Sequence, residues 1–381
     1  MESFLSDNEL IRYRRQMSVP EIGRGGQEKL KNGSALIVGL GGLGSPLALY
    51  LAAAGVGRLG LIDFDRVDES NLQRQVLYRS SNIGRSKIAV ARRELLDLNP
   101  HLQLDIYEEP LQAPNALEIA RKYDVVADGS DNFATRYLVN DACVLANKPN
   151  VHASIFRLEG RLSVFGYRDG PCYRCLFEEP PPPGSVPSCG EAGVLGATAG
   201  VLGSLQATEV LKILLGMEGV ASGRLLLYDA ARLEFRSVRV QKQENCPSCG
   251  SGAKIDLSAH QMPEEREEVA APEVLGENDL SPGALKDMLE RGEKIVLLDV
   301  RESAEREIAE LENSVLIPLP QLMKRMQELD PEKLIVVYCK VGERSAIAQE
   351  LLRERGFSRV KNLQGGILRW AREIDPNMAI Y

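Results

Sequence analysis

The sequence lacks an excess of positive charge. It holds 46 lysine and arginine residues against 54 aspartate and glutamate residues, which gives a net charge of −8. A chain of this charge is not a general binder of nucleic acid or of an anionic membrane surface. The opening MESFLSDNEL has neither a basic start nor an apolar run, so we expect no signal peptide and a cytoplasmic protein.

Long apolar runs are also scarce. Residues 35–57 form an uncharged stretch that is long enough to span a bilayer. The stretch contains six glycines and a proline, which divide it into a strand, a glycine turn and a helix. We therefore predict a soluble nucleotide-binding segment there and no membrane span.

Cysteines are few, and their number is odd: the chain has seven. In a chain with no secretory signal, reduced thiols and metal ligation are favoured over disulfides. The cysteines are therefore candidates for metal ligands or reactive thiols.

The chain length of 381 residues predicts two or three domains. Residues 1–250 alternate strand-like apolar runs with helical stretches, as in an α/β domain with a largely parallel sheet. Residues 251–272 are polar, acidic and flanked by proline, which predicts a flexible linker. Residues 273–381 resume the α/β alternation and predict a second, smaller α/β domain.

A glycine-rich turn dominates the first domain. In LIVGLGGLG, Gly39, Gly41 and Gly44 follow a predicted strand and open a helix. Such glycines permit a tight turn, and the helix N-terminus presents free N–H groups to phosphate. Asp63 follows about 20 residues later, where a carboxylate accepts ribose hydroxyls. Alone, this pattern predicts a dinucleotide fold, and a nicotinamide dehydrogenase is its default function.

The charges beyond Asp63 favour a different nucleotide. Asn71 and Arg74 follow it closely, and Lys87 comes a little later. A triphosphate that is cleaved needs cations on its leaving pyrophosphate, whereas a nicotinamide cofactor does not. Asp131, after the predicted fourth strand, is placed to bind Mg²⁺. Solvated surface charges are the alternative interpretation of Arg74 and Lys87.

These motifs together resemble the ubiquitin-activating-like adenylyltransferases that activate sulfur-carrier proteins for molybdopterin and thiamine synthesis. The resemblance covers residues 11–250 and runs through RYRRQ, GLGGLGS, DFDRVDESNLQRQ, GRSK, DGSDN, CYRC and CPSC. It implies a Rossmann-like domain. It also implies contacts with ATP or its Mg²⁺ from Gly39, Gly41, Gly42, Gly44, Asp63, Ser70, Asn71, Leu72, Gln73, Arg74, Lys87, Asp131 and Asn132.

The resemblance further implies a homodimer in which Arg15 reaches the phosphates of the other subunit. The expected partner is a small ubiquitin-like sulfur carrier that ends in Gly-Gly. The expected reaction joins AMP to its terminal glycine carboxylate.

Two CxxC pairs, Cys172 with Cys175 and Cys246 with Cys249, lie about seventy residues apart. Four thiolates suit a closed, tetrahedral Zn²⁺ site of structural function. The spacing between the pairs is wide for a zinc ribbon, and a redox CxxC is the alternative. The matching cysteines bind zinc in the family that the domain resembles.

Two other cysteines belong to the first domain. Cys189 ends a proline-rich loop before a helix made of small residues, which is where a nucleophilic thiol is expected. Relatives use the matching cysteine to form a thioester or to resolve a disulfide. Cys143 falls inside a helical pattern, and we predict that it belongs to the core.

The second domain resembles a rhodanese sulfurtransferase through LLDVRE, VVYCKVGERSA and NLQGGILRWAREIDP. In that fold the loop after the central strand forms a cup of backbone N–H groups around the cysteine sulfur, here Cys339, and Arg344 closes it. The cup stabilises a thiolate or a persulfide. Cysteine phosphatases place the arginine one residue later, in a wider cup. A buried structural cysteine is the alternative for this thiol, whose charged neighbours suggest exposure.

One segment departs from the rhodanese pattern. Residues 309–314 read AELENS where rhodaneses usually carry Gly-His-Ile-Pro-Gly-Ala. We expect the fold to survive this change, because the segment is mainly a structural turn, and the handling of the sulfur donor to be altered.

The two domains together predict an adenylyltransferase–sulfurtransferase. The carrier's glycine is adenylated, and a Cys339 persulfide then displaces AMP. Cys189 or an external thiol releases the carrier thiocarboxylate. The expected sulfur donor is thiosulfate or a cysteine desulfurase, and the product serves molybdopterin, thiamine or cysteine pathways.

Three other functions stay open at this level. One is a zinc-containing nicotinamide oxidoreductase, which the scarcity of histidine opposes, since the chain has only three. Another is a scaffold whose rhodanese domain docks partners without catalysis. The third is activation of a ubiquitin-like modifier through a Cys189 thioester, again with the rhodanese domain as a docking module.

Overall fold

The computed structural model describes residues 4–181, 193–260 and 278–379. These residues form two compact units. The first holds residues 4–180 and 193–260, and the second holds residues 278–379. Each unit has a β-sheet with helices around it, which confirms the predicted α/β class.

Eight strands form one sheet in the described part of the first unit, in the order β3-β2-β1-β4-β5-β6-β7-β8. They are β1 (Ser34–Val38), β2 (Arg58–Ile62), β3 (Gln103–Tyr107), β4 (Val125–Asp128), β5 (Asn150–Phe156), β6 (Glu159–Phe165), β7 (Arg224–Asp229) and β8 (Glu234–Arg239). The first five strands of this order, from β3 at the edge to β5, pair in parallel. Strands β6, β7 and β8 continue the sheet with antiparallel pairing. The sheet is therefore mixed, and only its first part matches the predicted parallel arrangement.

Helices cover both faces of this sheet. They are α1 (Asp7–Arg12), α2 (Arg14–Met17), α3 (Gly23–Asn32), α4 (Gly44–Ala54), α5 (Lys87–Leu98), α6 (Ala113–Arg121), α7 (Phe133–Ala146) and α8 (Gly196–Leu215). Successive residues of β1 face opposite sides, because side chains alternate along a strand. Ala35 and Ile37 join the core with α4, α5 and α8, whereas Leu36 and Val38 join the core with α6 and α7.

The uncharged stretch 35–57 divides as predicted into β1, a glycine turn and α4. Gly55 ends α4 in the left-handed conformation, with φ of 82°. Among the described helices, α8 is long and apolar enough to cross a membrane, but half of its apolar window is buried. It packs against α4, β5 and β6 and is a core helix of the first unit.

The predicted linker starts later than the sequence suggests. Residues Leu257–Ala259 form a 3₁₀ turn, and Leu257 packs against the core beside α6 and α7. His260 Nε2 lies 2.7 Å from Asp141 Oδ2. The prediction of a free segment from residue 251 is therefore wrong for residues 257–260, because one apolar and one polar contact attach them to the first unit.

The described second unit has a five-stranded parallel sheet in the order β11-β10-β12-β13-β9. Its strands are β9 (Asp279–Leu280), β10 (Ile295–Asp299), β11 (Val315–Leu316), β12 (Leu334–Tyr338) and β13 (Val360–Leu363). Its helices are α9 (Pro282–Glu290), α10 (Ser303–Arg306), α11 (Leu319–Arg325), α12 (Glu343–Glu354) and α13 (Gly366–Glu373). Strand β12 is central and buried on both faces, which explains its unbroken apolar run.

Candidate active sites and metal centre

A cavity of about 460 Å³ opens at the carboxyl ends of β1, β2 and β4. The strand order reverses between β1 and β4, and parallel sheets bind ligands at such a point. Most of the residues predicted to bind ATP line this cavity: Gly39, Gly41, Gly42, Asp63, Arg74, Lys87, Asp131 and Asn132.

The glycine turn requires glycine at two positions for different reasons. Gly39 has φ of +85°, a conformation that other residues rarely adopt. A Cβ on Gly44 would lie 1.9 Å from the Gly39 carbonyl oxygen, so the turn closes only without one. The turn then leads into α4, whose first N–H groups have no partner within the helix.

Asp63 follows β2 directly and is almost fully buried. The backbone N–H of Leu40 donates to Asp63 Oδ2 at 2.7 Å, and that of Asp65 donates to Oδ1 at 2.9 Å. Burial raises the pKa of the Asp63 carboxyl, which Lys87 and the two backbone donors partly counteract. The two backbone hydrogen bonds fix the carboxylate at the cavity wall, where a ribose hydroxyl can reach it.

Lys87 is not a solvated surface charge. It is 4% exposed, and its Nζ lies 2.7 Å from Asp65 Oδ2. Arg74 is half-buried, and its Nη1 donates to the Ser70 carbonyl at 2.9 Å. Both cations line the cavity, so they are not a pair of solvated surface charges, and their binding of phosphate stays a prediction.

The loop after β4 carries Asp131 and Asn132 to the cavity. The backbone N–H of Thr135 donates to Asn132 Oδ1 at 2.8 Å, so Asn132 caps the N-terminus of α7. Asp131 is exposed at the cavity, where its carboxylate is accessible to a cation.

Part of the predicted ATP site lies elsewhere in the described chain. Asn71 accepts a hydrogen bond from the Asp68 N–H within a local turn, and Arg15 lies on the exposed helix α2. Gly44 starts α4 behind the turn. The residues predicted for this cavity that do not line it are Gly44, Ser70, Asn71, Leu72 and Gln73. Arg15, which is predicted to act on the other subunit, does not line it either.

Sequence reasoning missed a buried polar group next to this cavity. His152 Nδ1 lies 2.8 Å from Asp128 Oδ2, and both side chains are buried. Burial opposes ionisation of Asp128, but hydrogen bonds from His152 and Ser130 lower its pKa. Burial lowers the pKa of His152. Arg136, also missed, is buried and lines the cavity. Its position five residues after Asp131 is the signal that could have indicated it.

The four paired cysteines come together as predicted. Their Sγ atoms lie within 4.8 Å of one another. The Cys172–Cys246 separation is 3.4 Å, the Cys175–Cys249 separation is 3.3 Å and the Cys172–Cys175 separation is 3.9 Å. Sulfurs about 2.3 Å from a tetrahedral Zn²⁺ are about 3.8 Å apart, which is close to these values. The arrangement fits one ion with four thiolate ligands.

Asp141 of α7 forms hydrogen bonds with both loops that carry this cluster. Its carboxylate accepts hydrogen bonds from Arg174 beside one cysteine pair, at 3.0 Å, and from Ser248 beside the other, at 2.6 Å. His260 adds a third contact. Burial opposes ionisation of Asp141, but these hydrogen bonds lower its pKa to about 2.

Replacing Asp141 with asparagine is expected to lower the free energy of unfolding of the first unit by about 2 kcal/mol at pH 7. The pKa of Asp141 is lower in the folded state than its ordinary 3.8, so its contribution is complete above about pH 4. The contribution is lost as the pH falls towards 2. Urea unfolding followed by circular dichroism at pH 7 and pH 3 measures the difference, which should shrink at pH 3. The fluorescence of Trp370, the chain's single tryptophan, reports the second unit and should not change.

In the second unit, Cys339 follows β12 and is fully buried, which corrects the expectation of an exposed thiol. The cause is the turn after β12, which folds back over the sulfur. The Gly342 N–H donates to Sγ at 3.1 Å, and the Ser345 hydroxyl does so at 3.4 Å. Gly342 has φ of 100°, which favours glycine there. The loop therefore forms a small donor cup around the sulfur.

Arg344 lies in the first turn of α12 beside this cup and is held by Glu305 of α10. The two N–H groups Nη1 and Nη2 donate to the carboxylate at 2.8 and 2.7 Å. Burial opposes ionisation of Glu305, but these hydrogen bonds lower its pKa. No pattern in the sequence selects Glu305 as a partner for Arg344. The pair fixes the orientation of the guanidinium next to the loop.

The departure at residues 309–314 leaves the fold intact, as predicted. The Leu311 N–H donates to the Tyr338 hydroxyl at 3.3 Å, and that hydroxyl donates to Ser314 Oγ at 2.9 Å. Asn313 has φ of 61°, a turn conformation that asparagine tolerates. The segment is thus a turn tied to the end of β12.

Two remaining cysteine predictions have different outcomes. Cys143 is buried in α7 within the core, which confirms that prediction, and burial raises its pKa. Cys189, the predicted nucleophile of the proline-rich loop, lies outside the described residues.

Comparison with known families agrees with both sites. The ThiF family model matches residues 13–248, and the rhodanese-like domain model matches residues 281–373. The chain therefore belongs to the ThiF family and carries a rhodanese-like domain after its ThiF domain.

The similarity to individual proteins spans both domains. The chain is 42% identical to the probable adenylyltransferase/sulfurtransferase MoeZ of Mycobacterium tuberculosis, over 100% of this chain and 97% of that protein. It is 41% identical to the adenylyltransferase and sulfurtransferase MOCS3 of Culex quinquefasciatus, over 99% of this chain and 90% of that protein. Among solved structures, E. coli MccB with ATP has a TM-score of 0.56 at 24% identity. That match covers 63% of this chain and 75% of MccB and supports the fold alone.

Proposed function

We propose that the protein adenylates the C-terminal glycine of a ubiquitin-like sulfur carrier and then converts it to a thiocarboxylate. The chain is an enzyme with an adenylyltransferase domain and a sulfurtransferase domain. The observation that carries the proposal is the presence in one chain of a nucleotide cavity and of a cysteine in a donor cup, Cys339.

In the first step a carboxylate oxygen of the carrier attacks the α-phosphorus of ATP. A new P–O bond forms, the bond to pyrophosphate breaks, and the product is an acyl-adenylate. Lys87 and Arg74 offset the charge that develops on the departing pyrophosphate. Asp63 orients the ribose through a carboxylate that two backbone N–H groups hold in place.

In the second step the terminal sulfur of a Cys339 persulfide attacks the acyl carbon, and AMP leaves. The product is an acyl disulfide between the carrier and Cys339. A second thiol, from Cys189 or from a small reductant, attacks Cys339 Sγ and breaks the S–S bond. The carrier departs as a thiocarboxylate, and Cys339 is left in a disulfide with that thiol. The donors Gly342 N–H and Ser345 hydroxyl stabilise negative charge on sulfur.

The test is to incubate the protein with ATP, thiosulfate, a thiol reductant and small ubiquitin-like carriers that end in Gly-Gly, and to weigh the carriers. Replacement of the terminal oxygen by sulfur adds about 16 Da per carrier, the difference between the two atomic masses. A carrier that gains this mass only when ATP is present supports the proposal. Failure of every carrier to release pyrophosphate would contradict it.

ATP is expected to bind together with a divalent cation. Asp131 would hold Mg²⁺, because its carboxylate is an oxygen ligand that is accessible in the cavity. When bound, the cation supplies charge neutralisation for the phosphates. The physiological sulfur donor in this proposal is thiosulfate or a cysteine desulfurase. The pathways are molybdopterin, thiamine or cysteine synthesis in the cytoplasm.

Zinc is the metal that we propose for the four-cysteine cluster. Four sulfur donors at tetrahedral separations leave no open position, so its function would be structural. The ion would join the loop of Cys172 to the loop of Cys246. Asp141 joins the same two loops through hydrogen bonds.

The purified protein is expected to contain about one zinc per chain. Cys246→Ser should lose the metal and unfold at a lower temperature, because three ligands hold Zn²⁺ less firmly than four. Metal analysis by mass spectrometry and thermal unfolding measure these effects. The control is Cys339→Ala, which should keep its zinc. A full zinc content in Cys246→Ser would contradict the assignment.

A homodimer is the assembly that we propose. Helices α4 and α8 share an exposed face of small and apolar side chains with Val76 of the segment after β2. Tyr50 in this face is 57% exposed and Val76 is 56% exposed. Such patches mark protein interfaces. In a dimer Arg15 would act on the phosphates of the second subunit, which accounts for its position outside the cavity of its own chain.

Ser204→Arg is expected to give a monomer, because Ser204 lies in the middle of this face and a charged side chain there resists burial. Pyrophosphate exchange should fall at least 100-fold if Arg15 acts across the interface. Light scattering after gel filtration measures the mass. Glu118→Arg is the matched control, since α6 lies on the opposite face of the sheet. A fully active monomer would contradict the shared site.

A further inference from the structure

Arg136 is a buried cation at the wall of the nucleotide cavity. It lies in the first turn of α7 and is 7% exposed. Its Nε and Nη2 donate to the Ser130 carbonyl oxygen at 3.4 and 3.3 Å, which are long hydrogen bonds. Among the described residues, no carboxylate forms an ion pair with it. A buried guanidinium without a direct anionic partner is costly, and an anion that enters the cavity would offset this cost.

The surroundings hold this guanidinium in place. It lies over the ring of Phe133, 5.1 Å from the centroid. The buried Asp128 carboxylate is near enough to interact with it electrostatically, but Ser130 and His152 occupy the Asp128 oxygens. Asp128 therefore offsets the charge of Arg136 from a distance without forming an ion pair with it.

The position of Arg136 distinguishes it from the cations for the phosphates. In the sheet order β2-β1-β4-β5, Asp63 ends β2 and the glycine turn follows β1. Arg74 and Lys87 belong to the segment that follows β2. Arg136 follows β4, on the far side of the glycine turn from the ribose carboxylate. The cavity continues past it to Ile155 of β5, so a second substrate has room to enter on this side.

We propose that Arg136 binds the terminal carboxylate of the carrier protein and presents it to the α-phosphorus of ATP. This inference rests on the proposed function. A carboxylate that approaches a triphosphate is repelled by it, and a cation on the carboxylate's own side offsets this repulsion. The planar guanidinium matches a carboxylate in geometry, and the two form paired hydrogen bonds. Arg136 keeps its protons throughout, and the attacking oxygen is the one that becomes bonded to phosphorus.

The test compares four binding affinities, those of two protein variants for two forms of the carrier. Wild type and Arg136→Gln are each titrated with a carrier that supports exchange on wild type, made with a C-terminal carboxylate or with a C-terminal amide. A non-hydrolysable ATP analogue is present throughout. Arg136→Gln should weaken the affinity for the carrier with a C-terminal carboxylate about 10- to 100-fold, the effect of one charge-assisted hydrogen-bonded pair. It should change the affinity for the carrier with a C-terminal amide by less than about twofold, because the amide carries no negative charge.

Arg136→Lys keeps the charge beside Asp128 and serves as the second variant in case Arg136→Gln misfolds. It should show the same carboxylate-specific loss at a smaller magnitude, because lysine lacks the planar fork. The affinity for the ATP analogue alone should stay within threefold in both variants. Equal weakening of carboxylate and amide forms, or a main loss of ATP affinity, would overturn the inference. Absence of exchange on wild type with every carrier would instead contradict the proposed function.

Discussion

Replacing Cys339 with alanine is expected to abolish the gain of sulfur by the carrier while carrier-dependent pyrophosphate exchange continues at the wild-type rate. The sulfur of Cys339 forms the bond to sulfane sulfur, and no other group in its cup can replace it. The donors around it, Gly342 N–H and Ser345 hydroxyl, cannot carry sulfur. Exchange belongs to the cavity of the first unit, which Cys339 does not line. Mass spectrometry of the carrier and exchange of labelled pyrophosphate measure the two effects.

The folding control for this variant is the fluorescence of a residue in the same unit. Trp370 lies in the same unit as Cys339, so its fluorescence shows whether that unit remains folded. Cys339→Ser is a second version that keeps a polar atom at the donors. Sulfur transfer that persists in either variant would show that another thiol carries the persulfide. Loss of exchange would contradict the division of labour between the units.

Replacing Asp131 with asparagine is expected to reduce exchange at least 100-fold and, with it, all sulfur transfer. Asparagine keeps the size of the side chain but removes the charge that attracts a divalent cation to the phosphates. Asp131 is exposed at the cavity rather than packed in the core, so the loss should not come from unfolding.

The matched control is Asp169→Asn, an exposed carboxylate that does not line the cavity. It should behave as wild type. Higher Mg²⁺ should partly restore the rate of the Asp131 variant, because mass action compensates for a weaker site. An Asp131 variant with normal exchange would remove this residue from the proposed mechanism.

Much of the fold could be predicted because the deciding signals are local. The glycines of the 39–44 turn and the apolar runs of β1 and β12 leave few alternatives. The paired cysteines likewise indicate a metal cluster through their spacing within each pair. Each of these features is a short sequence pattern, and the structure that it forms depends on only a few neighbouring residues.

The contacts that were missed join residues that are far apart in sequence. Glu305 meets Arg344 across 39 residues, and His260 meets Asp141 across 119. Nothing in a local pattern selects such partners, because they depend on how the strands are ordered. The burial of Cys339 was missed for a related reason, because it depends on the turn after β12 that folds back over the sulfur and not on the polarity of the neighbouring residues.

Helix α7 connects two parts of the first unit that carry different chemistry. Its N-cap Asn132 and its first-turn residue Arg136 lie at the cavity, and about one turn after Arg136, Asn140 and Asp141 bind the cysteine loops. A helix of 14 residues is a stiff rod about 21 Å long, so a shift at one end is transmitted to the other. Removal of the zinc that we propose for the four-cysteine cluster should therefore be detectable as a weaker affinity for nucleotide, although none of the four cysteines lines the cavity.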